Sequence, residues 1–277
     1  MKINPSWRVL TVGDGDLAFS AALLAHHKPR HLTATIYDDL TTLENKYGLK
    51  HYQRLQQRSC QVLTGFDVTK PSSWQGLNLT DFDVVIFQFP LLPNDKTKQL
   101  ANGQQQQSSN TLNRALLHQY LVHAFKYFLS ANGARLAIIT SKDVKPYRQW
   151  NIEQSLNAST EINYLGQQTF SFADFPGYQL RNVDRDKFVK HTEAFSYYWS
   201  DIYDDVSQCD DQSVANVTLP NYLKKSATTE SSFCAMCRVG PILTQQDLAA
   251  HHASKRHQQM LNFEQQWQFW LNNKAAH

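Results

Sequence analysis

Four residues near the C-terminus have the types and spacing to hold a metal: Cys234-x2-Cys237-x13-His251-x5-His257. Two thiolates and two imidazoles make a closed tetrahedral set for zinc, which leaves no coordination position for a substrate and therefore describes a structural Zn2+. The stretch 246–259 reads as helical and would present both histidines inward, with His252 in range as a competitor. Cys60 and Cys209 complete the count of four cysteines. In a reducing cytosol, the expected setting, their spacing points to metal rather than to disulfides. A redox Cys-x-x-Cys would open a helix inside a βαβ unit, and this one does not. A nucleobase deaminase wants proline before its first cysteine, whereas Phe233 precedes Cys234. A module this short should fold only with metal bound, so chelation is expected to melt it and spare the rest.

A second set of residues lies near the N-terminus. Val12-Gly13-Asp14-Gly15-Asp16 joins a short apolar run, 8–12, to a helical pattern carrying Leu17, Phe19, Ala21, Ala22, Leu23 and Leu24. Glycines allow a tight turn and close approach of backbone to ligand. A dinucleotide site would want a third glycine, where Ala18 stands, and Asp14 and Asp16 would repel a pyrophosphate. Carboxylates suit a ligand with an ammonium group and ribose hydroxyls, as in S-adenosylmethionine. Asp38 ends the second apolar run and is placed to accept from a ribose; Asp67 follows the third and could accept from an adenine amine. Each of these aspartates serves equally well as a turn or helix cap.

The elements that must position these groups alternate. Strand-like runs at 8–12, 33–37, 60–63, 83–89 and 135–140 are separated by helical patterns at 17–24, 41–58, 112–129 and 147–156, with Thr41 or Thr42 as candidate caps of the second. The aromatic-rich stretch 164–199 supplies the last strands. Near-continuous apolar strands alternating with helices predict an α/β fold, a doubly wound, mostly parallel sheet covered on both faces. The expected division is residues 1–200 for this sheet, 201–231 for a polar linker rich in aspartate, and 232–277 for the metal module and a C-terminal helix. Gln104–Gln107 is a low-complexity polar run. No apolar run approaches the ~20 residues of a spanning helix, so no membrane partner is expected.

The net charge of +3 is unevenly placed. From Lys224 to His277 there are six Lys/Arg and three acids, so this segment carries +3 and the remainder balances at 21 basic against 21 acidic. A basic tail on a neutral body suits a polyanion, and equally a solvated face.

Residues 9–20, Val-Leu-Thr-Val-Gly-Asp-Gly-Asp-Leu-Ala-Phe-Ser, resemble the opening of the Rossmann-like methyltransferase family typified by eukaryotic large-subunit rRNA uridine-N3 methyltransferases. The likeness continues at 33–38, Asn45-Lys46-Tyr47, Gly65-Phe66-Asp67-Val68-Thr69, 82–90, 145–152 and Phe175-Pro176-Gly177-Tyr178. It implies S-adenosyl-L-methionine held by Gly13, Asp14, Gly15, Asp16, Asp38, Asp67 and Val68, and an RNA substrate, rRNA or another structured RNA. The family usually has Asn-Phe-Pro-His after the fourth strand; here Gln88-Phe89-Pro90-Leu91 stands there. In that setting Gln88 would contact a base edge through its amide. Phe89 and Pro90 would stack on a flipped-out base, and Lys142, after the fifth strand, would stabilise a developing uracil anion. Tyr147 and Trp150 have helical spacing that suits core more than RNA. The run 251–257 resembles matrin-type fingers that bind double-stranded RNA, and Lys255 and Arg256 would meet phosphates there. Leu261, Phe263, Trp267, Trp270 and Leu271 continue a helical stripe whose plainer role is packing on the body. Two further readings stand beside methyl transfer: a non-catalytic RNA-binding protein on a degenerate scaffold, and a nucleotide-dependent oxidoreductase, which the missing third glycine disfavours.

Overall fold

The computed structural model describes residues 1, 3–93, 107–181, 192–202, 223 and 232–274. Seven strands, β1 (Arg8–Val12), β2 (His31–Thr35), β3 (Gln61–Leu63), β4 (Val84–Gln88), β5 (Leu136–Lys142), β6 (Asn163–Thr169) and β7 (Ala194–Ser200), form one sheet in the order β3-β2-β1-β4-β5-β7-β6. The first five are parallel, and β7 runs antiparallel to both β5 and β6. The chain winds outward from β1 to β3, then returns to the other side of β1 at β4. That reversal puts the switch point between β1 and β4, where sheets of this kind bind ligands beyond the carboxyl ends of their strands.

The central strands are apolar at nearly every position because alternate residues feed two cores. Val9, Val84, Ile86, Leu136 and Ile138 enter one, together with Phe19 and Leu23 of α1 (Ala18–His26), Leu43 of α2 (Leu40–Tyr47) and Leu55 of α3 (Lys50–Gln57). Leu10, Val85, Phe87, Ala137 and Ile139 enter the other, together with Leu117, Tyr120 and Leu121 of α4 (Ser109–His123).

Several expected elements differ in detail. The helix expected over 41–58 is two helices, because Gly48 at φ 74 ends α2; the cap is Asp39, which accepts from Thr42 N at 2.7 Å, rather than Thr41 or Thr42. The helix expected over 147–156 is a 3-10 turn, Tyr147–Trp150, then α5 (Ile152–Ser155), parted by Asn151 at φ 50. The long helix begins at Ser109 with Ser108 as its cap and closes in a π turn, Ala124–Phe128. The fifth strand reaches Lys142, so this lysine ends a strand rather than sitting in the loop beyond it.

At the C-terminus α6 (Gln245–Ala253) and α7 (Lys255–Lys274) are separate, since Ser254 turns to ψ 144 between them. The two candidate histidine ligands therefore sit on different helices rather than on one. Packing on the body is the role taken by Trp267 and Leu271, which close over Ala115 of α4. Trp267 is fully buried, stacks on Trp270 with centroids 4.9 Å apart, and donates from Nε1 to Ser155 O at 3.2 Å. Beneath it lies Arg114, whose side chain is 0% exposed and pairs with Glu264 of α7 at 2.7 Å. Removing one partner of such a buried pair costs about 3–5 kcal/mol, so Glu264 is what allows the guanidinium to stay buried.

The polar run expected at 104–107 and the expected linker lie outside the described residues, apart from Gln107, Asp201, Ile202 and Leu223; so does Cys209. Asp201 pairs with Arg135. Among the described residues no helix is long and apolar enough to cross a membrane.

Candidate active site and metal centre

β1 ends at Val12, and the turn that follows is built from two glycines with different reasons. Gly13 sits at φ +61, and a Cβ there would meet the Phe87 ring at 2.9 Å, so backbone and packing both require glycine. Gly15 has a φ outside the left-handed region and nothing within 4 Å of an added Cβ. The fold itself does not require glycine there; it leaves an open approach to the backbone, as a ligand seat would.

The strand ends beside this turn are tied together through their backbones. Asp14 N donates to Thr35 O at 3.0 Å, Ile36 N to Leu63 O at 2.9 Å and Gly65 N to Asp38 O at 2.9 Å. The aspartates expected at these ends are therefore brought to one edge of the sheet. Their present partners are protein groups. Asp14 accepts from Ser20 N at 2.6 Å and caps the start of α1. Asp16 accepts from Ala18 N at 3.1 Å and from Arg181 Nε at 2.7 Å. Asp38 pairs with Lys46 at 2.9 Å, and Asp67 accepts from Thr69 N and Oγ1 at 2.9 and 2.6 Å. Val68 buries its side chain, and its carbonyl faces His123 Nδ1 at 2.7 Å.

Burial, and then the neighbouring Asp16 charge, push the Asp14 carboxyl up to about 7. The unfolded chain gives up this proton near the ordinary value of 3.8, so across the window from about 4 to about 7 the folded state holds more protons. Stability must therefore fall as pH rises through that window and level off above it. Asp14→Asn keeps an oxygen for Ser20 N and lacks the charge. Its unfolding midpoint is expected to exceed that of the wild type at pH 8 and to converge with it near pH 4. Parallel denaturant titrations at the two pH values would show this, and a constant difference would remove Asp14 as the cause.

At the neighbouring strand end, Gln88 closes β4 opposite Thr140 of β5. Its amide is buried, with neither Oε1 nor Nε2 in a hydrogen bond, and the Tyr178 phenol is a polar group close to it. A buried amide unpaired on both atoms is expensive and needs an explanation. Phe89, at φ 48, lies against Phe170 and stacks on Phe172 at 5.9 Å, while Pro90 is buried. The expected stacking pair is thus already engaged within the protein. Trp150 is core, and Tyr147 packs on it edge-on at 4.9 Å. Lys142 ends β5 with its ammonium 5.7 Å from the Tyr147 ring centre, and no carboxylate among the described residues pairs with it. Burial lowers its pKa from the ordinary lysine value.

The expected metal ligands come together. One ligand atom from each of Cys234, Cys237, His251 and His257 lies within 4.8 Å of the others. His257 Nδ1 is 3.5 Å from Cys237 Sγ, 3.8 Å from Cys234 Sγ and 3.1 Å from His251 Nε2. Tetrahedral zinc with bonds of ~2.0–2.3 Å sets its ligand atoms roughly 3.3–3.8 Å apart, so the residues fit the ion. His252 is outside this group, and Cys60 is a buried core thiol directed at Leu32 O.

Asp143 was not among the residues singled out from sequence. It follows Lys142, accepts from Arg148 Nε and Nη2 at 3.0 and 2.7 Å, and from Arg238 Nη1 at 2.6 Å. Arg238 directly follows Cys237, so the Cys-x-x-Cys knuckle is pinned beside the end of β5. The sequence signal was adjacency alone, each member lying next to a residue already chosen.

A parallel sheet closed by an antiparallel β7, with a glycine turn after β1 and acidic residues at the next strand ends, defines a Rossmann-like methyltransferase fold. Residues 10–182 match the family model of the BMT5-like proteins, rRNA (uridine-N3-)-methyltransferase BTM5-like. The chain belongs to this family. It is 25% identical over 189 residues to an uncharacterized Arabidopsis thaliana protein, covering 64% of this chain and 87% of that one. It is 26% identical over 184 residues to the heavy metal-associated isoprenylated plant protein 41 of A. thaliana, covering 64% of this chain but only 33% of that protein. Among solved structures it is similar to a putative RNA methyltransferase from Pyrococcus horikoshii, with 16% identity, a TM-score of 0.40, and coverage of 72% and 76% of the two chains.

Proposed function

We propose that this protein transfers a methyl group from S-adenosylmethionine to a uracil N3 of structured RNA, with rRNA the first substrate class to test, and that the zinc finger adds RNA affinity. The family supports the reaction. The observation that carries the substrate is the buried Gln88 amide with both polar atoms unpaired. A uracil edge presents carbonyl oxygens on either side of N3, and the side-chain amide can donate to one of them while leaving N3 free for the methyl group. The open approach over Gly15 and the carboxylates of Asp14, Asp16 and Asp38 fit the ammonium and ribose of the methyl donor.

When bound, S-adenosylmethionine supplies a methyl group on a sulfonium. The chain's own task is to hold donor and base at reacting distance, which can supply most of the acceleration. Gln88 orients the base edge. N3 must lose its proton, which passes to solvent water, and the Lys142 ammonium would stabilise the anion that develops. Asp38 would exchange its Lys46 partner for ribose hydroxyls. A cytosolic, reducing setting keeps Cys234 and Cys237 available to the metal.

The ion pairs already made by Asp16 and Asp38 favour a second reading, an RNA-binding scaffold without turnover. Calorimetric titration with S-adenosylmethionine and, in parallel, NADH separates the two. The donor is expected to bind, and Asp38→Ala to weaken it at least tenfold. Binding of neither ligand would leave the scaffold reading, and binding of NADH alone would overturn both.

A further inference from the structure

The knuckle and the loop after β5 enclose a cleft of about 100 Å³ that the candidate metal ligand Cys237 borders and that none of the donor-site residues lines. Lys145 and Arg148 line it from the body, Arg238 and Arg256 from the finger. Asp143 pairs with Arg148 and Arg238, and Glu153 lies 3.5 Å from Arg238, so four cations against these two carboxylates leave an excess of two positive charges. Burial alone would raise the Asp143 carboxyl, but the Arg148 and Arg238 guanidiniums hold it below its usual value, so it stays ionised as their fixed anchor. Asp143 thus orders one arginine from each side before any ligand arrives, while Lys145 and Arg256, both exposed, face the same cleft. Cations held in place by a carboxylate lose little freedom on meeting an anion.

The geometry points to this cleft as the seat of an RNA backbone phosphate, gripped jointly by the body and the finger. The inference rests on the RNA-methylating reading, because the cleft opens beside the strand end that carries Lys142. Phosphate contacts fix register and orientation without reading sequence. The seat would set where the strand enters and leave Gln88 to select the base. The finger then contributes half of one phosphate site rather than a separate RNA-binding surface.

The test is the salt dependence of RNA affinity of the full-length, zinc-loaded protein, measured with a uridine-containing stem-loop RNA. Each lost phosphate contact lowers the slope of log K against log salt by ~0.7–0.9. The double variant Lys145→Ala/Arg256→Ala is expected to bind at least tenfold more weakly at 0.1 M salt, with a slope lower by about one. Arg256 also donates to Cys237 O, so zinc content is measured on each variant. The single charge reversal Lys145→Glu, at a side chain that makes no hydrogen bond to a candidate zinc ligand among the described residues, should weaken binding in the same direction, with zinc content measured on this variant too. Arg30→Ala/Arg58→Ala, which removes two exposed arginines just before β2 and β3 at the opposite edge of the sheet, should change neither quantity. Affinity and slope unchanged in both cleft variants, a loss no larger than in the control pair, or no RNA binding by the wild type would each overturn the seat. Donor affinity is measured on the same samples. Normal donor binding with an indifferent cleft overturns the seat alone, whereas a cleft-dependent slope without donor binding overturns the catalytic reading alone.

Discussion

Lys142→Met is expected to lower turnover by about 10²–10³-fold and to leave donor affinity unchanged, the size of loss seen when one transition-state donor is removed. Methionine keeps the length and apolar stem of lysine and removes the ammonium. The ammonium has no carboxylate partner among the described residues, and burial lowers its pKa, so the wild-type fold gives up stability to hold it. A purely structural lysine would behave in the opposite way, its loss lowering the unfolding midpoint. The pH dependence gives an independent check. At pH values between the lowered folded value and the ordinary 10.5, the unfolded chain binds more protons than the native one, so wild-type stability rises with pH through that window. Lys142→Met should lack this rise. Single-turnover transfer of a labelled methyl group to uridine-containing RNA, with unfolding curves at pH 8 and pH 10, reads both effects. Equal turnover in the variant would remove Lys142 from the reaction.

Metal removal should have the largest structural effect. Apparent zinc-binding energies of roughly 10–16 kcal/mol in finger peptides are folding energy, because the ligand set does not exist in the unfolded chain. Burial and the neighbouring Cys234 push the Cys237 thiol up to about 11, so a cation is needed to hold it as thiolate near neutral pH. Chelation is therefore expected to unfold residues 232–257. The second half of α7 should persist, since Trp267, Leu271 and the Arg114–Glu264 pair hold it to α4 without any metal ligand. Zinc stoichiometry by mass spectrometry, with amide exchange before and after chelation, distinguishes these segments. Unchanged protection over 232–257 in metal-free protein would refute the assignment.

The parallel part of the sheet was legible because β1 to β5 fall in short apolar or β-branched runs and most of their crossovers carry helical spacing, whereas polar β6, Asn163–Thr169, was readable only as part of an aromatic-rich stretch. The Cys/His cluster was legible because thiolate and imidazole spacing has few other uses, and the fold brings the four side chains together. Breaks within helices were harder to read. Asn151 takes a left-handed conformation that its neighbours do not announce, and Ser254 parts α6 from α7 inside a run that looks continuous. The aspartates at the strand ends were readable as residues but not as partners, because Lys46 and Arg181 reach them from elsewhere in the chain. Asp143 was invisible for the same reason. Its significance comes from Arg238, 95 positions away in sequence, which only the folded chain delivers.

The C-terminal segment is fastened twice, by Arg238 on Asp143 and by Trp267 against Ala115, and this changes how it gains affinity. A module on a free tether must be caught anew at each encounter, and its benefit depends on the length and stiffness of the tether. A module bolted at two points has already lost that freedom when the protein folds. With the proposed phosphate seat, RNA would meet one preset outline, the ordering cost would drop out of the binding equilibrium, and the span between the gripped phosphate and the reacting base would be a constant of the protein. On the proposed reaction and phosphate seat, such a molecule would gauge its substrate like a caliper, accepting RNA whose shape places the target base at that fixed span.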